Sequence, residues 1–239
     1  MKVAVITPYF DIPLKWLQEC HSSVKAQTYP CTHFIVSDGQ PYNAVDSWDA
    51  QHIKLPVNAA DYGDTPRGVG SVVAIGLGFD AIAYLDADNW YAPEHIGILV
   101  NLHKKTGAAV VTSARNLHRL DGTLLGECFE VDGTRFVDTN CLFLTRAAFD
   151  IIPVWWSMPP RFHAIDDRVV WANIMRRNFS RTHSQKATVA YRTAFANHYR
   201  NFGEEPPEGA KSGNEIQALL KEIHDKQPRK GNITVHIKK

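Results

Sequence analysis

Residues 81–89 read Ala81-Ile82-Ala83-Tyr84-Leu85-Asp86-Ala87-Asp88-Asn89. Five apolar residues stop abruptly at a carboxylate, and a second carboxylate follows two positions later. A short unbroken apolar run bounded in this way reads as a strand buried on both faces, the kind found inside parallel sheets. With 16 aspartates in 239 residues, about one Asp-x-Asp triplet is expected by chance, so the triplet alone carries little. Its place carries more. In open α/β sheets the ligand crevice lies beyond the carboxyl ends of the strands, which is where Asp86 and Asp88 stand.

The surrounding pattern supports such a sheet. Upstream, Lys2–Thr7 is a β-branched run ended by Pro8, and Leu14–Ala26 carries a rough helical apolar stripe. His33–Val36 is a second strand, stopped by Asp38 and Gly39, and Ile53–Leu55 suits a third before Pro56. Arg67–Leu77 has helical spacing but contains Gly68, Gly70 and Gly76, which predicts a helix packed closely on the sheet. Downstream, Pro93 suits the first turn of a helix reaching about Lys105, and Ala108–Thr112 is a fifth strand. Strands alternating with helices imply an α/β fold with a mostly parallel, Rossmann-like sheet and helices on both faces.

The rhythm changes after residue 113. Residues 117–137 suggest β-hairpin material around Asp121-Gly122 and Asp132-Gly133. Val154–Phe162 reads as an aromatic, proline-rich loop and Asp166–Met175 as a helix. Residues 200–213 read as a mobile loop, Asn214–Ile223 as an amphipathic helix, and the end is basic.

Composition bounds the rest. The chain is 44% hydrophobic, enough for one large core, and 26 Lys and Arg against 25 Asp and Glu give a net charge of +1. No basic excess argues for nucleic acid. The apolar run near the start is too short for a signal peptide, and no stretch approaches the ~20 residues of a transmembrane segment. A cytoplasmic protein is the expectation. Cys20, Cys31, Cys128 and Cys141 form no Cys-x-x-Cys pair and read as reduced, mostly buried thiols.

Acids at several strand ends narrow the chemistry. Asp86 and Asp88 side by side repel one another and call for a hard divalent cation with oxygen ligands, unless they only cap a helix and form a turn. Asp38 suits acceptance of a hydrogen bond from the ring N–H of a uracil-like base, or a plain Asp-Gly turn. Arg67 is placed to pair with a diphosphate, with the aspartates, or with solvent. Asp166 and Asp167 precede an apolar helix, where one of them serves either as a general base or as an N-cap. His198 is a further candidate ligand for the ion, or a surface histidine. Trp155, Trp156, Trp90 and Tyr91 are candidates for stacking on a sugar, or for packing.

Together these segments resemble glycosyltransferase family 2, the inverting enzymes with the A-type nucleotide-sugar fold. Val3–Tyr9 resembles the family's first strand, which implies nucleotide contacts by Thr7, Pro8 and Tyr9. Phe34–Gly39 resembles its second strand, with Ser37 in place of the first of two aspartates and Asp38 as the uracil-binding carboxylate. Ala83–Asn89 resembles the metal-binding segment, which implies Asp88 as principal ligand and Asp86 at the ribose or the metal. Pro66-Arg67 resembles the family's basic residue. Ile165–Arg168 resembles the segment of the catalytic base, which implies Asp166, with Asp167 as the alternative. The organisation then expected is an A-type domain over residues 1–200, with a nucleotide-binding half (1–113) and an acceptor-binding half (114–200). A loop, helix and basic tail follow over 201–239. The expected reaction is metal-dependent (Mn²⁺ or Mg²⁺) transfer of a sugar from a nucleoside-diphosphate donor, UDP above others, to a saccharide or other hydroxyl-bearing acceptor. Two rivals stand beside it: a nucleotidyltransferase, and a non-catalytic nucleotide-sugar-binding module.

Overall fold

The computed structural model describes residues 1–226, which fall into two compact units, Met1–Thr193 and one that begins at Ala194. In the first unit, β1 (Val3–Tyr9), α1 (Leu14–Lys25) and β2 (Cys31–Asp38) are followed by β3 (Gln51–Leu55), α2 (Asp64–Gly76) and β4 (Ala81–Tyr84). These four strands are parallel in the order β3-β2-β1-β4. The path from β1 to β2 runs one way along the sheet and the path from β3 to β4 runs the other. Right-handed crossovers therefore put α1 and α2 on opposite faces. The order reverses between β1 and β4, and a crevice opens beyond their carboxyl ends.

The remaining elements are β5 (Trp90–Tyr91), α3 (His95–Thr106), β6 (Val110–His118), β7 (Leu124–Glu127), β8 (Leu142–Thr145), α4 (Val154–Ser157), α5 (Asp166–Arg176) and β9 (Arg181–Arg192). The full sheet runs β3-β2-β1-β4-β8-β6-β9-β5, with β7 paired to β6. The strand at Val110 does not lie beside β4: β8 stands between them, antiparallel to both. β9 runs parallel to β6 and takes β5 as an antiparallel edge. The sequence reading did not anticipate β8 or β9. The polar first half of β9, with Arg181, His183, Gln185 and Lys186, hides its strand character.

Local chemistry explains several boundaries. Gly70 faces the sheet so closely that a Cβ there would come within 2.6 Å of Ile6 Cγ2, which accounts for a glycine-rich helix. Asp121-Gly122 turns β6 into β7 as a hairpin, with Gly122 at φ 89°. Asp132-Gly133 instead forms a turn in which the Asp132 carboxylate accepts from the Thr134 and Arg135 N–H groups. The segment expected as a loop at Val154–Phe162 is helical: α4 is followed by a 3₁₀ helix over Pro160–Ile165.

The second unit contains α6 (Ala196–Asn201) and α7 (Asn214–Lys226). Between them the chain passes through glycine turns at Gly203 and Gly209, and Phe195 bridges to Lys211 in parallel fashion. The basic end expected beyond α7 lies outside the described residues. Among the described residues, no helix is long and apolar enough to cross a membrane.

Candidate functional site

A cleft of about 540 Å³ opens beyond β1 and β4, lined by Pro8, Tyr9, Asp38, Arg67 and Asp86 together with residues of the loop 58–63. Asp38 ends β2 at its far side. One carboxylate oxygen accepts from Ala59 N at 3.0 Å and the other from Asn58 Nδ2 at 3.1 Å. Burial raises its pKa against the pull of the Ala59 N–H. Gly39 follows in the left-handed region, and a Cβ there would strike the Asn58 backbone nitrogen at 2.4 Å. The turn is therefore real, and it aims the carboxylate at the loop 58–63.

Arg67 is the hub of the floor. It is buried in the first turns of α2, and its Nη2 donates to Asp86 Oδ1 at 2.6 Å while Nη1 donates to Asp166 Oδ2 at 2.9 Å. Nη1 also donates to the Tyr62 carbonyl at 3.0 Å and lies 3.6 Å from Asp64 Oδ1. Burial opposes its charge, yet Asp86, Asp166 and Asp64 hold it charged. Removing one side of such a buried network leaves uncompensated charge, a loss of about 3–5 kcal/mol. Of the three partners left open by the sequence, Arg67 takes the aspartates.

Asp86 is held from its other side by a residue that sequence reading missed. Asn140 Oδ1 accepts from Asp86 N at 2.6 Å, and Asn140 Nδ2 donates to Asp86 Oδ2 at 2.8 Å. Asn140 sits in a 3₁₀ turn just before β8, capped by Asp138, whose other oxygen accepts from Arg115. The only local signal was an Asp-Thr-Asn run without a strand to place it.

Asp88 differs from Asp86. Its backbone carbonyl accepts from Arg192, whose guanidinium lies between the rings of Trp16 and Trp90 at 4.7 and 4.8 Å. Its carboxylate takes no hydrogen bond from another side chain among the described residues. Burial, and then the charge of Asp86, push it up to about 7 against Arg192. A carboxylate in that state favours an added cation. Among the described residues no group of three or more His, Cys, Asp or Glu is arranged to hold a metal ion. The donor set therefore fits an ion held by Asp88 with Asp86 beside it only where ligand oxygens complete the shell.

Asp166 and Asp167 open α5. Asp166 Oδ1 accepts from Asp167 N at 2.5 Å, and burial raises its pKa although Arg67 opposes. Asp167 is pushed up to about 8 by burial and by Asp166. Asp64, also missed in the sequence, is pushed up to about 9 by burial and by Asp166, and its Oδ2 lies 2.6 Å from His163 Nδ1. Burial thus raises all three carboxyls, Asp166 adds repulsion at Asp64 and Asp167, and Arg67 opposes the rise at Asp64 and Asp166.

Two of the expected contact residues are buried away from the residues that line the cleft. Thr7 turns its hydroxyl to the α1 face, to His33 Nε2 at 2.8 Å and Cys20 Sγ at 3.7 Å, because successive strand residues alternate sides. Trp155 is a core residue, not a stacking platform: it is 1% exposed and its N–H donates to Tyr84 Oη at 3.2 Å. Trp90 stacks on Arg192 and packs edge-on to His118, while Trp156 is exposed over Gly68. His198 belongs to the second unit, buried on α6 beside the Phe195 ring.

Comparisons with known proteins bear on the family and the fold. The family model described as "Glycosyl transferase family 2" matches residues 4–147. Solved structures of S. aureus TarS share the fold. The structure of TarS 1–349 in complex with UDP has a TM-score of 0.58 at 13% identity, covering 84% of this chain and 63% of that one. A second TarS structure has a TM-score of 0.58 at 13% identity, covering 93% of this chain and 43% of that one. TarS 1–349 in complex with UDP-GlcNAc has a TM-score of 0.55 at 12% identity, covering 93% and 72%. This chain thus spans less than two thirds of the first two TarS chains. No curated protein matches it.

Proposed function

The chain belongs to glycosyltransferase family 2, and from that premise we propose that it moves a sugar from a uridine-diphosphate donor to an acceptor hydroxyl with inversion. The observation that carries this reading is Arg67 joining Asp86 to Asp166 on the floor of a cleft that Asp38 closes at its other side. TarS was solved with UDP and with UDP-GlcNAc, which favours uridine in the donor.

Asp38 accepts the ring N–H of the base, and Pro8 and Tyr9 form the adjoining wall. Asp86, fixed by Arg67 and Asn140, faces the ribose and diphosphate. Asp88, with Asp86 beside it, would hold Mn²⁺ or Mg²⁺ on the diphosphate, where such an ion offsets the charge of the leaving group. Asp166 accepts the proton of the attacking hydroxyl, since it is the carboxylate of its pair that reaches the cleft cation Arg67. Attack from the face opposite the leaving diphosphate inverts the anomeric centre. The acceptor is a saccharide or another hydroxyl-bearing molecule.

Calorimetric titration of UDP, with and without Mn²⁺, and a UDP-sugar turnover screen test this. Asp88→Ala should lose the metal-dependent part of UDP binding, and Asp166→Asn should bind UDP but not turn over its sugar conjugates. Unchanged UDP affinity in Asp88→Ala sinks the metal assignment. Pyrophosphate release from UTP points to a nucleotidyltransferase instead, and binding without turnover on any acceptor points to a module.

A further inference from the structure

Four non-glycine residues of the described chain adopt a left-handed backbone: Asp11 (φ 43°), Ala60 (φ 54°), Tyr62 (φ 59°) and Asn178 (φ 55°). Asn178 lies just past the end of α5, where asparagine is an ordinary choice. The other three border the cleft. Ala60 and Tyr62 line it, and Asp11 stands between its lining residues Phe10 and Ile12. Left-handed backbone disfavours side chains as large as tyrosine, and it persists where the surroundings hold it for a purpose.

The backbone around Tyr62 is held at several points. The Asp61 carboxylate accepts from Gly63 N at 3.2 Å and Thr65 N at 2.9 Å, and the Tyr62 carbonyl accepts from Arg67. The ring is not held. It is 71% exposed, and it makes no hydrogen bond or ring contact among the described residues. Phe10, 44% exposed, lines the same cleft. Folding alone gives no reason for tyrosine here: glycine or asparagine would relieve the backbone, and no core packing would be lost.

We propose that Tyr62 is a ligand clamp whose ring stacks on the nucleoside of a bound nucleoside diphosphate, with Phe10 as a second apolar wall. The proposal rests on reading the cleft as a donor site. The nucleoside end is favoured because the loop that carries Tyr62 begins with Asn58 and Ala59, the two residues that hold Asp38. A base offers a flat π face to an aromatic ring, and a diphosphate does not.

The test compares UDP, uridine and inorganic pyrophosphate by calorimetry on wild type, Tyr62→Gly, Tyr62→Asn and Tyr62→Phe, with Tm measured for each. Loss of one base–aromatic stack should weaken UDP and uridine about tenfold in the Gly and Asn variants, leave pyrophosphate unchanged, and spare the Phe variant. Tm in the Gly and Asn variants should hold or rise. That combination, firmer fold and weaker binding, is one a purely structural residue does not give. Affinity and Tm falling together overturns the clamp, as does an equal loss for pyrophosphate. A wild type that binds UDP no better than Tyr62→Gly overturns the clamp alone. A wild type that binds neither UDP nor uridine overturns the donor-site reading and the clamp with it.

Discussion

Asn140 holds Asp86 by both its backbone and its side chain, accepting from the amide at 2.6 Å and donating to Oδ2 at 2.8 Å. The loop that carries the two candidate ligand carboxylates is thereby tied to the start of β8, and Arg192 ties its next turn at the Asp88 carbonyl.

Asn140→Ala should therefore weaken Mn²⁺-dependent UDP binding by about 10-fold or more, the usual loss when a residue supporting a ligand carboxylate is removed. Binding in EDTA should change less. Calorimetry with and without the ion measures both. Equal losses in the two conditions would mean that Asn140 shapes the cleft and does not tune Asp86.

Asp64 sets a pH dependence of stability. Its carboxyl moves from an ordinary 3.8 up to about 9 in the fold, so the folded chain binds the proton more tightly than the unfolded chain. Its contribution then falls as pH rises from the ordinary carboxylate range to about 9, and is level above that. Asp64→Asn keeps the neutral shape and removes this slope. Its Tm should match wild type near pH 4 and exceed it increasingly toward pH 9. Parallel Tm curves across that range would show that Asp64 ionises normally.

The two neighbouring tryptophans separate core from surface. Trp155→Ala removes a fully buried ring and its bond to Tyr84, and should destabilise by about 3–5 kcal/mol in denaturant unfolding. Trp156→Ala removes a ring that is 44% exposed and should cost clearly less. Similar losses for both would mean that Trp156 packs as tightly as its neighbour.

Much of the first half was legible in the sequence because its signals are local. An apolar run that ends in a carboxylate says both that a strand is buried and which end of it carries the acid. The strands at Phe34 and Ala81 follow from that, the strand at Val3 from a β-branched run stopped by Pro8, and the helix at Arg67 from its spacing and glycines. The second half was less legible. Leu142–Thr145 is too short to stand out, and β9 alternates imperfectly between polar and apolar residues.

By itself the sequence determined the parallel block and the acids at its rim, since periodicity and strand polarity are properties of neighbouring residues. Only the tertiary structure decided how those acids are held. Arg67 meets Asp166 across 99 positions, and Asn140 meets Asp86 across 54. Such pairings depend on the antiparallel insertion of β8 and on α4 packing against α2, with α5 following so that Asp166 meets Arg67. No local pattern encodes them, because burial, charge balance and hydrogen-bond geometry select them together once the chain has closed on itself.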